Sequence, residues 1–302
     1  MSALAPVGLV GLGAMGRGIA ANLLAKGYGL LAYDVRPEMQ AWTEAQGGRF
    51  ASDLAQIGRT CKIVISFVVN DAQTEAITFG LGGLSQSMAQ DSVLVTCSTM
   101  PPSYVQALAQ RLSAQGIHLI DAPVTGGAAG AAKGTLTVMA AGPQSIFERV
   151  RPVLETFSAR LYHLSEVAGA GAQLKVINQL LCGVHLAAAG EALALAQRQG
   201  LPLDLTLEVL RSGAASSWML GDRGPRMAAQ AWDDVTSAID IFVKDTALVL
   251  AAAQDAGFDA ALARVAHQAF KAVSARGLGG QDDSAVMLHY TPNENAPPKK
   301  PK

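Results

Sequence analysis

Residues 7–34 read VGLVGLGAMGRGIAANLLAKGYGLLAYD, and this stretch decides the fold of the first half of the chain. An apolar run at 7–10 leads into closely spaced glycines and then into a helical pattern. In this spacing the first glycine permits a tight turn, the second lets phosphates approach the backbone, and the third lets the helix pack closely. The residues predicted to hold a dinucleotide here are Gly11, Gly13, Ala14, Met15 and Gly16.

Asp34 indicates which dinucleotide to expect. It ends the next apolar run, about 20 residues beyond the glycines, where the motif places an acidic residue. Its carboxylate can accept hydrogen bonds from the ribose hydroxyl groups and would repel a 2′-phosphate. We therefore expect NAD as the cofactor. Arg36 would offset part of that repulsion, which leaves NADP as the less favoured alternative.

The pattern of apolar residues changes along the chain. Up to about residue 162 short apolar runs alternate with helical segments, as in a parallel sheet built from strand-helix-strand units. The pattern predicts strands at 7–10, 29–33, 63–68, 93–96, 118–121 and 137–140, and helices at 15–26, 37–45, 71–78, 102–115 and 143–157. From 174 to 199 apolar residues cover most of the circumference of one long helix, which we therefore predict to be largely buried, and further helical patterns follow. We predict an α/β protein with a Rossmann-type parallel-sheet domain (1–167), an all-α domain built on a long interdomain helix (168–290), and a disordered tail (291–302).

Composition favours a small-molecule partner. Half of the 302 residues are hydrophobic and the formal net charge is −1, so nothing indicates binding to nucleic acid or to an anionic membrane. We find no signal peptide and no uninterrupted apolar run near the roughly 20 residues that a membrane span needs. A cytoplasmic location is expected. The histidines and the three cysteines lack metal-ligand spacing, so no metal site is predicted.

Four motifs, taken together, resemble the beta-hydroxyacid dehydrogenase family. They are GLGAMG (11–16), DAPVTGG (121–127), GAGAQLKVINQ (169–179) and FVKD (242–245). The longer stretches VNDAQTE (69–75) and KVINQLLCGVH (175–185) are similar to the branch that acts on L-threonate. Gln179 departs from the second asparagine of many members, which weakens 3-hydroxyisobutyrate as the substrate.

Lys175 is the residue best suited to acid-base chemistry. On a helix, Asn178 and Gln179 lie on its face, so one amine and two neutral amides converge on a small volume, where we expect the two domains to meet. A neutral amine can take the proton of a substrate hydroxyl, and an ammonium can return it to a carbonyl oxygen. We predict that Lys175 is catalytic and that Asn178 and Gln179 orient the substrate. The resemblance implies the same catalytic helix.

The remaining predicted contacts lie on loops and on a later helix. A hydroxyl and successive backbone amides at 125–127 can bind the substrate carboxylate, which predicts Thr125, Gly126 and Gly127 as substrate contacts. The resemblance implies that the cofactor is contacted by Val68, Val69, Thr99 and Lys244.

Several functions remain open from the sequence. The preferred one is NAD-dependent oxidation of L-threonate to its 2-oxo acid. The alternatives are reduction of tartronate semialdehyde to glycerate, and oxidation of 3-hydroxyisobutyrate. A third alternative is a dinucleotide-binding module without catalytic activity. Lys175 disfavours it, because a module without turnover would be expected to lack that lysine. The apolar surface of the long helix also predicts a homodimer or homotetramer.

Overall fold

The structure is a computed structural model, which describes residues 4–291 and divides into two compact units. The first unit ends at Val176 and the second begins at Ile177. The predicted tail (291–302) lies outside the described residues, apart from Thr291. The predicted domain boundary at 167/168 stays a prediction.

A nine-stranded sheet forms the first unit. Its strands are β1 (Leu4–Val10), β2 (Tyr28–Tyr33), β3 (Arg49–Phe50), β4 (Ile63–Ser66), β5 (Val93–Thr96), β6 (His118–Asp121), β7 (Val124–Thr125), β8 (Leu136–Ala141) and β9 (Ser158–Ser165). Its helices are α1 (Ala14–Ala25), α2 (Glu38–Ala45), α3 (Leu54–Thr60), α4 (Asp71–Phe79), α5 (Pro102–Ser113), α6 (Gly127–Lys133) and α7 (Gln144–Leu154). A short 3₁₀ turn spans Leu84–Gln86.

Strand order is β3-β2-β1-β4-β5-β6-β8-β7, with β9 also paired to β8. Strands β1 to β6 pair in parallel, which confirms the predicted Rossmann-type sheet. The sheet is mostly rather than wholly parallel, because β8 runs antiparallel to β6 and to β7. The β6–β8 connection contains β7 and the seven-residue α6, and β7 pairs with β8 in antiparallel orientation.

Both faces of the sheet are buried, which explains why its central strands are continuously apolar. Leu9 and Ile65 lie in the core on one face, while Val10 and Val64 belong to the core on the other. The same alternation continues through Val93–Thr96 and His118–Asp121. The carboxyl ends of these strands meet at one edge, where open parallel sheets bind ligands.

The second unit is helical, as predicted. Its elements begin within the long helix α8 (Ala170–Arg198) and continue with α9 (Leu203–Ser212), α10 (Trp218–Ala229), α11 (Ile239–Asp255), α12 (Ala261–Val273), a π-helical turn (Ser274–Leu278) and a 3₁₀ segment (Asp283–His289). Its core includes Leu186, Leu193, Phe242 and Phe270.

Helix α8 corrects one expectation from the sequence. The sequence contains no uninterrupted apolar run long enough to span a membrane, because polar residues are interspersed along this helix. By its length and mean hydropathy, however, α8 passes as a membrane-spanning helix. Half of its most apolar window is buried inside the protein, and core helices pass the same test. The helix is also less buried than predicted, because Ile177, Leu181 and Leu195 are more than half exposed.

Candidate functional site

Two positions in the glycine loop accept no side chain. Gly11 has φ of +98°, and a Cβ there would lie 2.4 Å from the Phe67 carbonyl oxygen. A Cβ on Gly16 would lie 2.0 Å from the Gly11 carbonyl oxygen. The turn is held by a 2.9 Å hydrogen bond from the Gly11 amide to the Tyr33 carbonyl. The first and third glycines are therefore required by the turn itself.

Gly13 differs from these two glycines, because nothing lies within 4 Å of the position its Cβ would occupy. It precedes Ala14 and Met15 in the first turn of α1, a 12-residue helix. The first amides of a helix lack partners inside the helix and attract anions. The loop thus has an open side beside a helix N-terminus, which suits the pyrophosphate of a dinucleotide.

Asp34 follows β2 and contacts the glycine loop directly. Its Oδ2 accepts a 2.7 Å hydrogen bond from the Leu12 amide. The Arg36 guanidinium donates to Oδ1 at 2.8 Å and to Oδ2 at 3.1 Å. Burial alone would raise the pKa of Asp34, but the hydrogen bonds from Arg36 and Leu12 outweigh it and lower the pKa. The carboxylate is therefore charged and fixed in place at neutral pH.

The loops after β4 and β5 are joined to each other. The Ser98 hydroxyl donates a 2.7 Å hydrogen bond to the Val68 carbonyl. Val69 is 45% exposed, and Val68 and Thr99 are half-buried. Val68 and Val69 follow β4, the neighbour of β1, and Thr99 follows β5, the next strand in the sheet. The structure therefore brings all three to the sheet edge that carries the glycine loop.

The 125–127 loop has an unusual backbone. Thr125 ends β7, and Gly126 and Gly127 follow with φ of +125° and +65°. L-residues rarely adopt such angles, so glycine is needed at both positions. All three residues are half-buried. Their predicted contact with a substrate carboxylate stays a prediction.

Asp121 holds the beginning of α8, a role that the sequence reasoning missed. Its Oδ2 accepts hydrogen bonds from the amides of Gly169 (3.1 Å) and Ala172 (2.8 Å), and its backbone partners also include Gly171. Burial raises the pKa of Asp121 to about 7, although these hydrogen bonds oppose the rise. The last residue of β6 therefore anchors the helix that carries Lys175. The pairing spans about 50 positions, so no local signal could have indicated it.

Helix α8 runs without a break through the three polar residues predicted to work together. Lys175 is 8% exposed, Gln179 is 7% exposed, and Asn178 is half-buried. Burial is unusual for a lysine, which is almost never fully buried unless it is paired. The predicted spacing along one helical face is thus present, and Lys175 is largely buried.

In the second unit, four polar side chains form a hydrogen-bonded row. Asn178 Nδ2 donates to Gln179 Oε1 at 2.8 Å, and Gln179 Nε2 donates to Asp245 Oδ2 at 2.5 Å. The Lys244 ammonium lies 2.7 Å from Asp245 Oδ1. Cys182 Sγ is 3.3 Å from Asn178 Nδ2. Sequence reasoning selected Lys244 and passed over Asp245, although Asp245 connects α8 to α11.

This chemistry suits a redox enzyme that uses a nicotinamide cofactor. The first unit carries a turn open to phosphates, a fixed carboxylate at the position expected to contact the ribose, and a buried amine. Among residues 4–291, no group of three or more histidines, cysteines or acids is placed to hold a metal ion.

Two family models together cover nearly the whole chain. A model described as the NAD binding domain of 6-phosphogluconate dehydrogenase matches residues 6–165. A second, described as NAD-binding of NADP-dependent 3-hydroxyisobutyrate dehydrogenase, matches residues 169–290.

Similar proteins match over more than nine tenths of this chain. An L-threonate dehydrogenase of Cupriavidus necator is 43% identical over 93% of this chain and 94% of its own length. An L-threonate dehydrogenase of Escherichia coli K12 is 38% identical, with 94% of each chain covered. A crystal structure described as 3-hydroxyisobutyrate dehydrogenase from Salmonella typhimurium is 38% identical with a TM-score of 0.90, covering 94% of this chain and 99% of that one.

Proposed function

The chain belongs to the beta-hydroxyacid dehydrogenase family, oxidoreductases that act on small hydroxy acids with a nicotinamide dinucleotide, and we propose that it oxidises L-threonate to its 2-oxo acid using NAD. The observation that carries the proposal is the buried Lys175 on a helix face shared with two amides. The names of the relatives do not agree on the substrate, since two are L-threonate dehydrogenases and one is described as 3-hydroxyisobutyrate dehydrogenase.

The residues of the glycine loop fit a dinucleotide. Gly13 leaves open space where a pyrophosphate would approach, and Ala14 and Met15 supply amides at the start of α1. We infer that Val68, Val69 and Thr99 contact the same cofactor, as does Lys244. NAD supplies the acceptor for the hydride.

The preference for NAD over NADP rests on Asp34. A 2′-phosphate at this position would meet a charged carboxylate, whereas two ribose hydroxyl groups would find an acceptor. Arg36 already uses both carboxylate oxygens. It would have to give up that pairing to bind a 2′-phosphate, so its presence does not by itself favour NADP.

Lys175 handles the proton in the proposed reaction. As the C–H bond of the alcohol carbon breaks, the hydroxyl oxygen becomes a carbonyl oxygen and releases its proton to the amine of Lys175. In the reverse direction the ammonium returns this proton. A non-catalytic binding module would have no need of a buried lysine at this position.

The substrate is held by polar groups in this proposal. Backbone amides and the hydroxyl of Thr125, Gly126 and Gly127 bind the carboxylate, and Asn178 and Gln179 orient hydroxyl groups. An acid with several hydroxyl groups uses these amides better than an aliphatic hydroxy acid does. The alternatives are reduction of tartronate semialdehyde and oxidation of 3-hydroxyisobutyrate.

We also propose that the protein is cytoplasmic and forms a homodimer or a homotetramer. Light scattering would test the oligomeric state by measuring the mass of the particle in solution.

A panel of three- to five-carbon hydroxy acids, followed by NADH formation, tests the proposal. Turnover should be highest with L-threonate and NAD. Lys175→Ala should lower kcat by about two to four orders of magnitude, whereas Lys271→Ala, at an exposed lysine of α12, should not. Unchanged kcat in Lys175→Ala would reject the mechanism. A preference for another acid would reject the substrate and leave the role of the lysine intact.

A further inference from the structure

We propose that Asp245 is a positioning residue that orients the amides of Gln179 and Asn178, so that Asn178 presents an acceptor oxygen to a hydroxyl group next to the reacting carbon of the substrate. This inference rests on the proposed function for the position of Asn178 at the substrate. It goes further by assigning a role to Asp245 and by restricting the substrate to acids with a second hydroxyl group.

The orientation follows from what each group can donate or accept. The Asp245 carboxylate, paired with the Lys244 ammonium, has only acceptor oxygens, so Gln179 must turn its NH₂ group toward it. Gln179 Oε1 then faces Asn178 and accepts a hydrogen bond from Nδ2. The amide of Asn178 is thereby fixed with its nitrogen inward, and Oδ1 is directed away from the row.

Burial makes this orientation strict. Asp245 is 2% exposed and Gln179 is 7% exposed, so water cannot easily replace a hydrogen bond that the row loses. A reversed Gln179 would place its carbonyl oxygen against the Asp245 carboxylate and its NH₂ group against that of Asn178. Leaving buried polar groups without partners is costly, which couples the two amides to the carboxylate.

A fixed acceptor selects among substrates. Asn178 lies three residues beyond Lys175 on α8, a spacing that places side chains about 5–6 Å apart on one helical face. If Lys175 takes the proton of the reacting hydroxyl, then Asn178 Oδ1 is placed to accept from the hydroxyl on the neighbouring carbon. An acid without that hydroxyl would leave the acceptor unsatisfied.

The test compares L-threonate with 2,4-dihydroxybutanoate, which lacks the hydroxyl on the neighbouring carbon. The quantity measured is the ratio of their kcat/KM values. Asp245→Asn allows the side-chain amides of Gln179 and Asn178 to flip by half a turn. It should lower this ratio by about tenfold or more, mainly because KM for L-threonate rises. Asp255→Asn removes the same charge from an exposed position of α11 and should leave the ratio unchanged.

A double variant separates orientation from a merely structural role. In D245N/N178D the carboxylate moves to the other end of the row. The new amide at position 245 would then donate to Gln179 Oε1, and Gln179 Nε2 would donate to the new carboxylate at position 178. The second oxygen of that carboxylate remains an acceptor for the substrate. The ratio should return toward the wild-type value, even if KM for both acids rises because of the added negative charge. A ratio that stays low in the double variant would overturn the proposal.

Hydrogen exchange gives a readout that does not depend on turnover. In ¹⁵N-labelled protein the Asn178 NH₂ protons should exchange slowly in the wild type and in Asp255→Asn, and faster in Asp245→Asn. Equal exchange in all three would contradict the orienting role. If the wild type turns over neither acid, the proposed function fails while the exchange data still decide the orientation. If Asp245→Asn does not fold, the ratio in D245N/N178D decides the question.

Discussion

Replacing Asp121 with asparagine is expected to change the pH dependence of stability. Asp121 is fully buried, and burial raises its pKa to about 7 from an ordinary value of 3.8. A carboxyl group with a raised pKa binds its proton more tightly in the folded protein than in the unfolded chain. It therefore lowers the free energy of unfolding as pH rises from about 4 to 7.

The size of the effect follows from the same values. Each pH unit between these two pKa values lowers the free energy of unfolding by about 1.36 kcal/mol. Through this group alone, the wild type should therefore lose about 3 kcal/mol of stability between pH 5 and pH 8. An asparagine side chain at position 121 has no such titration. Relative to the wild type, Asp121→Asn should thus gain about 3 kcal/mol of stability over this interval.

Urea denaturation from pH 5 to pH 8 measures this difference, because titrations shared by the two proteins cancel on subtraction. Asp255→Asn, at an exposed position, serves as the control and should follow the wild type. Parallel stability curves for the wild type and Asp121→Asn would refute the reasoning. They would mean that the carboxyl group remains ionised throughout, held by the amides at the start of α8.

Three further predictions concern other parts of the molecule. Asp34→Ala should raise the NADP/NAD ratio of kcat/KM by about tenfold or more, because the like charge disappears and the arginine beside it is released; an unchanged ratio would count against the assigned role. Gly13→Ala should fold normally and bind NAD more weakly in calorimetry, whereas Gly16→Ala should lower the melting temperature, since its Cβ meets a carbonyl oxygen; equal melting temperatures would contradict this geometry. Arg223→Ala should cost about 3–5 kcal/mol in urea denaturation, because the buried Asp283 loses its partner; a loss below about 1 kcal/mol would show that the carboxylate finds other partners.

The sequence predicted those elements whose signal is local. Val93–Thr96 and His118–Asp121 match their predicted bounds, because buried parallel strands are short, continuous apolar runs. Ser158–Ser165 was missed, since this strand is only partly buried and contains charged and polar residues. Leu54–Thr60 was missed because seven residues carry little periodicity, although Asp53 caps it by accepting a hydrogen bond from Gln56.

The same distinction between local and long-range signals applies to the candidate site. The glycine motif and the face of α8 depend on local spacing, and the structure contains both. The contacts of Asp121 with α8, and of Asp245 with Gln179, join residues about 50 and 66 positions apart. Because only folding brings such distant groups together, the sequence identifies the acidic residue but not the residue that it contacts.

Asp121 also determines where an anion can bind in the first unit. The N-terminus of a long helix normally attracts negative charge, and α8 is the longest helix described. Here the protein's own carboxylate already occupies those amides. A negatively charged metabolite is therefore excluded from this end of α8 and must obtain its amide donors from another loop.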